Sequence, residues 1–117
     1  MTDVVDPFAL DQGLRVVVTA GASGIGRAVA DLLIARGARV LVCDVADALL
    51  ADFRAAHPSA GAVKADVAAE VDVERLFAAA KQSLDGLDAL INNAGIAGPT
   101  GGVEEIAPAD WRRTIDV

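Results

Sequence analysis

A chain of 117 residues has room for one domain with a modest core. Apolar residues make up 54% and charged residues 23%, which excludes a disordered segment and fits a packed globular unit. Asp and Glu total 17 against 10 Lys and Arg, a formal charge of -7; with no basic stripe or patch, nucleic acid and anionic membrane are excluded as partners.

The start MTDVVDPFALDQG carries three acids and no base, unlike a secretory signal. No apolar run approaches the roughly 18 residues of a membrane span. One cysteine, Cys43, cannot close an internal disulfide, so a reducing, cytoplasmic setting is expected.

Residues 1–12 read as a polar arm, and Gly13 leads into the first element. Arg15 to Thr19 (RVVVT) is a short β-branched run, followed by the glycine-rich stretch AGASGIG. From Ile25 the period turns helical, with Ile25, Val29, Leu32 and Leu33 on one face and Gly37 as the stop. Arg39 to Cys43 is a second strand closed by Asp44, and a short helix with Leu49, Leu50 and Phe53 ends at His57-Pro58. Ala62 to Ala65 is a weak third strand before Asp66. Glu70 to Leu84 is a helix with Val73, Leu76, Phe77, Ala80 and Leu84 in its stripe. Leu87 to Ile91 is the fourth strand, running into Asn92. After a loop rich in glycine and proline, Pro108 opens a last helix with Trp111 and Ile115 on one face.

Strands and helices alternate with short connections, which predicts a doubly wound α/β unit with a parallel sheet covered on both faces. The prior for strand order is 3-2-1-4. A fourth strand with no partner beyond it and a last helix whose apolar face has barely begun make residues 13–117 read as the front part of a larger domain.

Gly21, Gly24 and Gly26 sit between a strand and a helix, where backbone N–H groups and the helix N-terminal field can hold a phosphate or pyrophosphate. Ser23 adds a hydroxyl donor. Asp44 ends the second strand, where a dinucleotide's ribose would arrive; its carboxylate accepts from the 2′ and 3′ hydroxyls and repels a 2′-phosphate, which favours NAD over NADP. As an alternative, Asp44 caps the following helix, though Asp47 is at least as good a cap. Asp66 and Asn92-Asn93 end the third and fourth strands on the same edge. There Asp66 can accept from an adenine amino group, and Asn93-Ala94-Gly95 passes close under the ribose. Each alone could make a cap or an Asx turn.

These motifs resemble the classical short-chain dehydrogenase/reductase family. The family's T-G-x-x-x-G-x-G is similar to Thr19-Ala20-Gly21-Ala22-Ser23-Gly24-Ile25-Gly26, its N-N-A-G to Asn92-Asn93-Ala94-Gly95, its acidic residue to Asp44, and its D-V pair to Asp66-Val67. Trp111 through Val117 is similar to the start of the family's long fifth helix. The resemblance implies a Rossmann domain that carries hydride between NAD(H) and an alcohol or carbonyl substrate, commonly as a dimer or tetramer. It implies Ser23, Gly24, Ile25 and Gly26 around the pyrophosphate, Asn93, Ala94 and Gly95 beside the adenosine, and Asn92 helping to hold the central strand.

Two departures stand out. Ala20 replaces the first motif glycine, at a cost on the order of 1 kcal/mol if the position needs positive φ. The family's catalytic Asn, Ser, Tyr and Lys have no counterpart in these residues, which contain no tyrosine at all, so the 117-residue chain alone is expected to be inactive. Two other readings remain. An S-adenosylmethionine methyltransferase shares the glycine turn and the strand-two acid but leaves Asn92 to Gly95 unexplained. A non-catalytic dinucleotide- or partner-binding half-domain fits the uncovered edge. No His, Cys and Asp cluster has metal-ligand spacing. Cys43 reads as core, and His57 as structural or exposed because no second ligand or base accompanies it.

Overall fold

The computed structural model describes residues 5–7 and 9–117. Of the arm expected over 1–12, residues 1–4 and Phe8 lie outside the described residues; the others form no helix or strand. The arm's end is tied to the body by the Gly13 N–H, which donates to Gly37 O at 3.0 Å.

Four parallel strands form one sheet in the order β3-β2-β1-β4: β1 Arg15–Thr19, β2 Arg39–Asp44, β3 Gly61–Lys64 and β4 Ala89–Ile91. The helices between them are α1 Gly24–Ala35, α2 Asp47–Ala56 and α3 Glu70–Leu84, and α4 Pro108–Asp116 follows β4. Both the doubly wound class and the strand order agree with the pattern of the sequence. Val16 pairs with Val40, and Val18 with both Val42 and Ile91, so the β-branched runs lie at the sheet's centre.

The period of two along β1 and β2 splits the core. Val16, Val18, Val40 and Val42 face α1 and α2, where Ala30, Leu50 and Phe53 are buried. Val17, Leu41 and Cys43 face α3 through Leu76, Ala80 and Leu84. Cys43 is a core residue, as expected, and burial pushes its thiol pKa up.

Three expectations need correction. Ile25 and Leu32 are 79% and 56% exposed; α1 packs through Gly26, Ala30, Leu33 and Ile34, because small residues let it lie close to the sheet. β4 is shorter than Leu87–Ile91 because Asp88 is taken by Arg15 and Leu87 stays 37% exposed. The long loop holds a single 3-10 turn at Val103–Glu105 that sequence periodicity misses. His57 also has a partner: its Nε2 lies 2.7 Å from Asp31 Oδ1, and its ring stacks obliquely on Phe53, which fixes α2 to α1. The structural reading of His57 stands, with a carboxylate beside it.

Candidate cofactor site

The carboxyl ends of the strands carry the polar residues. Ala20 opens the turn after β1 with φ of +50°, in the left-handed region. The next residue must be glycine, since a Cβ on Gly21 would lie 2.6 Å from Val42 Cγ1. Relative to the family pattern, the sequence thus has its methyl group at the left-handed position and its glycine where β2 leaves no space. A Cβ on Gly26 would collide with Asn93 Nδ2 and Ala20 O, so α1 starts in close contact with the turn and with the segment after β4.

Gly24 and Gly95, in contrast, would place a Cβ with nothing within 4 Å, so the backbone there is open to a ligand. Ser23 is the α1 N-cap, yet its side chain makes no cap hydrogen bond. The first N–H groups of a helix have no intrahelical acceptor, and Ser23, Gly24 and Ile25 are all exposed. This combination suits an anion.

Asn93 ties the site together. Its Nδ2 donates to Thr19 O at 3.1 Å and Ala20 O at 3.3 Å. Thr19 Oγ1 accepts from the N–H groups of Asn93 and Ala94 at 3.0 and 2.9 Å. These bonds tie Asn93 and Ala94 to the end of β1; Asn92 is exposed and borders a cavity of about 250 Å³ with Val67, Phe77 and Leu90.

Asp44 is 8% exposed. Its Oδ1 accepts from the N–H groups of Val45 (2.8 Å) and Ala46 (3.3 Å), and its Oδ2 from that of Ala22 (3.3 Å), linking the β2 end to the glycine turn. Asp47 is no cap: the α2 N-cap is Ala46, and Asp47 pairs with Lys64 at 2.9 Å. Asp66 Oδ1 accepts from the Ala68 N–H at 2.9 Å, and its Oδ2 accepts from Arg113 Nη1 at 2.9 Å. The Ala68 N–H first, then the Arg113 guanidinium, hold the Asp66 pKa below the ordinary carboxylate value. Asp72, from the first turn of α3, accepts from the Asp66 N–H at 2.8 Å.

Asp44, Asp66, Val67, Ala94 and Gly95 meet around one pocket of about 110 Å³, together with Ala20, Cys43 and Arg113. Asn93 is bonded to Ala20 of this lining, and Gly21, Ser23, Gly24, Ile25 and Gly26 continue from Ala20 into α1. Sequence reasoning misses Arg113, whose only signal is a pair of adjacent arginines. Among the described residues no cluster of His, Cys, Asp and Glu is placed to hold a metal ion, and no helix is long and apolar enough to cross a membrane.

A parallel sheet in this order, with a glycine turn opening the first helix and acids at the next two strand ends, defines a doubly wound Rossmann-type fold. Comparison with known proteins makes the class specific. The family described as short chain dehydrogenase matches residues 15–117. Over 104 residues the chain is 43% identical to cis-4-hydroxycyclohexanecarboxylate dehydrogenase of Sinomonas cyclohexanicum, covering 86% of this chain and 42% of that protein. Against 2,5-dichloro-2,5-cyclohexadiene-1,4-diol dehydrogenase of Sphingobium indicum it is 38% identical over 106 residues, covering 90% and 42%. The crystal structure of 3-ketoacyl-(acyl-carrier-protein) reductase from Brucella melitensis complexed with NADH matches with a TM-score of 0.85 at 30% identity, covering 91% of this chain and 44% of that one. The chain belongs to the short chain dehydrogenase family, and it spans about two fifths of the length of the curated relatives it matches.

Proposed function

We propose that these residues are the cofactor-binding part of an NAD-dependent oxidoreductase, which transfers hydride between NAD(H) and a small alcohol or carbonyl substrate. The observation that carries this reading is the convergence, at one sheet edge, of the exposed α1 N-terminus, Asp44, and the pocket between Asp66 and Gly95. Ser23, Gly24, Ile25 and Gly26 would hold the pyrophosphate through backbone N–H groups and the serine hydroxyl. Asp44 would accept from the adenosine ribose, with its carboxylate already aimed by three backbone N–H groups. Asp66 and Val67 would meet the adenine, Ala94 and Gly95 would pass beside the ribose, and Asn93 would keep that segment against β1. The bound dinucleotide supplies the hydride chemistry.

Family membership and relatives named as dehydrogenases support the reaction class; the NADH complex of the Brucella melitensis reductase supports a nicotinamide cofactor. We assign no residue of this chain to proton transfer, and with no tyrosine among its 117 residues the chain alone should bind without turning over. Assembly as a dimer or tetramer and a cytoplasmic setting belong to the same reading.

The preference for NAD is the part most easily tested. A carboxylate within about 4 Å of a 2′-phosphate opposes it by about 4 kcal/mol at an intermediate dielectric, so at least a tenfold preference for NAD is expected in competitive titration. Asp44→Asn removes the charge but keeps one acceptor oxygen for the backbone, and should narrow that preference; Asp44→Ala should narrow it too while loosening the turn. Tighter binding of NADP by the unmodified protein would sink the assignment.

A further inference from the structure

On one side the sheet ends at β3, a strand of 4 residues whose only strand partner among the described residues is β2. Along a strand, alternate residues turn their N–H and C=O groups to opposite sides. The Ala65 N–H donates to Asp44 O at 3.1 Å, so Val63, two positions earlier, also faces β2, and Ala62 and Lys64 face outward. An outward row of this kind is a template for pairing with another chain. Here both outward carbonyls are taken. Arg54 Nη2, from α2, donates to Ala62 O at 2.9 Å, and Arg75 Nη2, from α3, donates to Lys64 O at 2.5 Å. The two helices lie on opposite faces of the sheet, so the arginines reach its edge from both sides. Asp72 lies 3.3 Å from the Arg75 guanidinium, and Asp47 holds the Lys64 ammonium at 2.9 Å.

An arriving strand would have to displace both guanidinium groups. Each makes a charge-assisted hydrogen bond, stronger than the neutral backbone bond that would replace it. Charge opposes the approach as well: a second copy pairing antiparallel about a twofold axis would bring its own Arg54 and Arg75 to the same short seam. The strand itself offers little other obstacle, since Gly61, Ala62 and Val63 are small and uncharged. We propose that Arg54 and Arg75 are a paired closure of the β3 edge, which without them is a strand-addition surface for a second copy of this chain. Neither arginine lines the cofactor pocket, so the closure stands apart from the dinucleotide reading.

The test is amide hydrogen exchange of the full chain, followed residue by residue by NMR over a range of protein concentrations, with sedimentation for the mass. Val63 and Ala65, whose N–H groups face β2, report the fold; Ala62 and Lys64 report the edge. In the unmodified protein, Ala62 and Lys64 should exchange at rates independent of concentration. In the double variant Arg54→Met with Arg75→Met, which keeps a long stem but no donor, they should slow by about tenfold or more as concentration rises, with a matching rise in mass. Each single Met variant, with one arginine left, should slow less, and is read in place of the double variant if Val63 and Ala65 lose their protection there. Concentration-dependent slowing of Ala62 and Lys64 in the unmodified protein overturns the proposal on its own. A folded Met variant in which these two amides exchange as in the unmodified protein overturns it too, even if that variant self-associates through another face.

Discussion

The two ends of the β-sheet are built on different terms. At the amino end, Arg15 clamps Asp88 through its backbone N–H, Nε and Nη2 at 2.9, 3.0 and 2.9 Å, and its Nη1 reaches Asp85 O at 2.8 Å. Arg39 likewise donates to the carbonyls of Leu84 and Ser83, so two arginines at strand starts cover the carboxyl end of α3. At the carboxyl end no such clamp closes over the turn. The backbone there is held in a left-handed alanine, an uncapped helix N-terminus and carboxylates aimed by backbone N–H groups, with a pocket among them. The amino end closes on a multidentate arginine clamp; the carboxyl end spreads its ties over separate hydrogen bonds and the Asp66–Arg113 pair, and leaves polar groups within reach of a ligand.

The sharpest way to break this contrast is to remove one of the acceptors at the carboxyl end. Thr19 is 4% exposed, and its Oγ1 is the acceptor for the Ala94 N–H at 2.9 Å. Thr19→Val keeps the shape and leaves that donor without its acceptor, so denaturant unfolding should show a loss of about 1–3 kcal/mol, with weaker dinucleotide binding. A variant as stable as the parent would mean that the segment after β4 is held by something other than Thr19.

A smaller effect of opposite sign is expected one residue on. Ala20 bears the left-handed cost that glycine avoids, partly offset by the chain entropy glycine loses on folding. Ala20→Gly should therefore stabilise the protein by about 0.5–1 kcal/mol, seen as a higher denaturant midpoint at unchanged slope. Destabilisation would show that the methyl group contributes more by packing than it costs in backbone strain.

Much of this architecture is legible in the sequence, for reasons that also explain the misses. β1 and β2 read well because RVVVT and RVLVC are apolar on both faces, as strands buried between helices must be. The period of α3 gives its observed limits, Glu70–Leu84, since Leu76, Ala80 and Leu84 keep the helical spacing. The period of α1 gives the helix but turns it wrongly: a hydrophobic stripe is counted in large side chains, and this helix docks through Gly26 and Ala30. Asp44, Asp66, Ala94 and Gly95 can be placed because a strand end is a local feature, and parallel strands bring their ends to one edge. Arg113 cannot, because its meeting with Asp66 depends on how a loop and a helix return over the sheet.

The last and smallest effect tests the amino end through pH. The Arg15 guanidinium, and then the Arg15 backbone N–H, bring the Asp88 pKa from 3.8 down to about 2. A carboxyl group more acidic in the folded than in the unfolded chain stabilises the fold while both forms are ionised, above about pH 4. As pH falls, the unfolded chain takes up the proton first, so this contribution shrinks from about pH 4 and is gone below about pH 2. Asp31, Asp66 and Asp72 are shifted in the same direction and lose stability with it. The discriminating quantity is therefore a difference: the gap in unfolding midpoint between the parent and Asp88→Asn should be largest near neutral pH and narrow steadily below pH 4. The pair lies at the surface, so high salt should shrink the same gap at neutral pH. A gap independent of both pH and salt would show that Asp88 acts by shape and not by charge, and the amino end would then be no clamp at all.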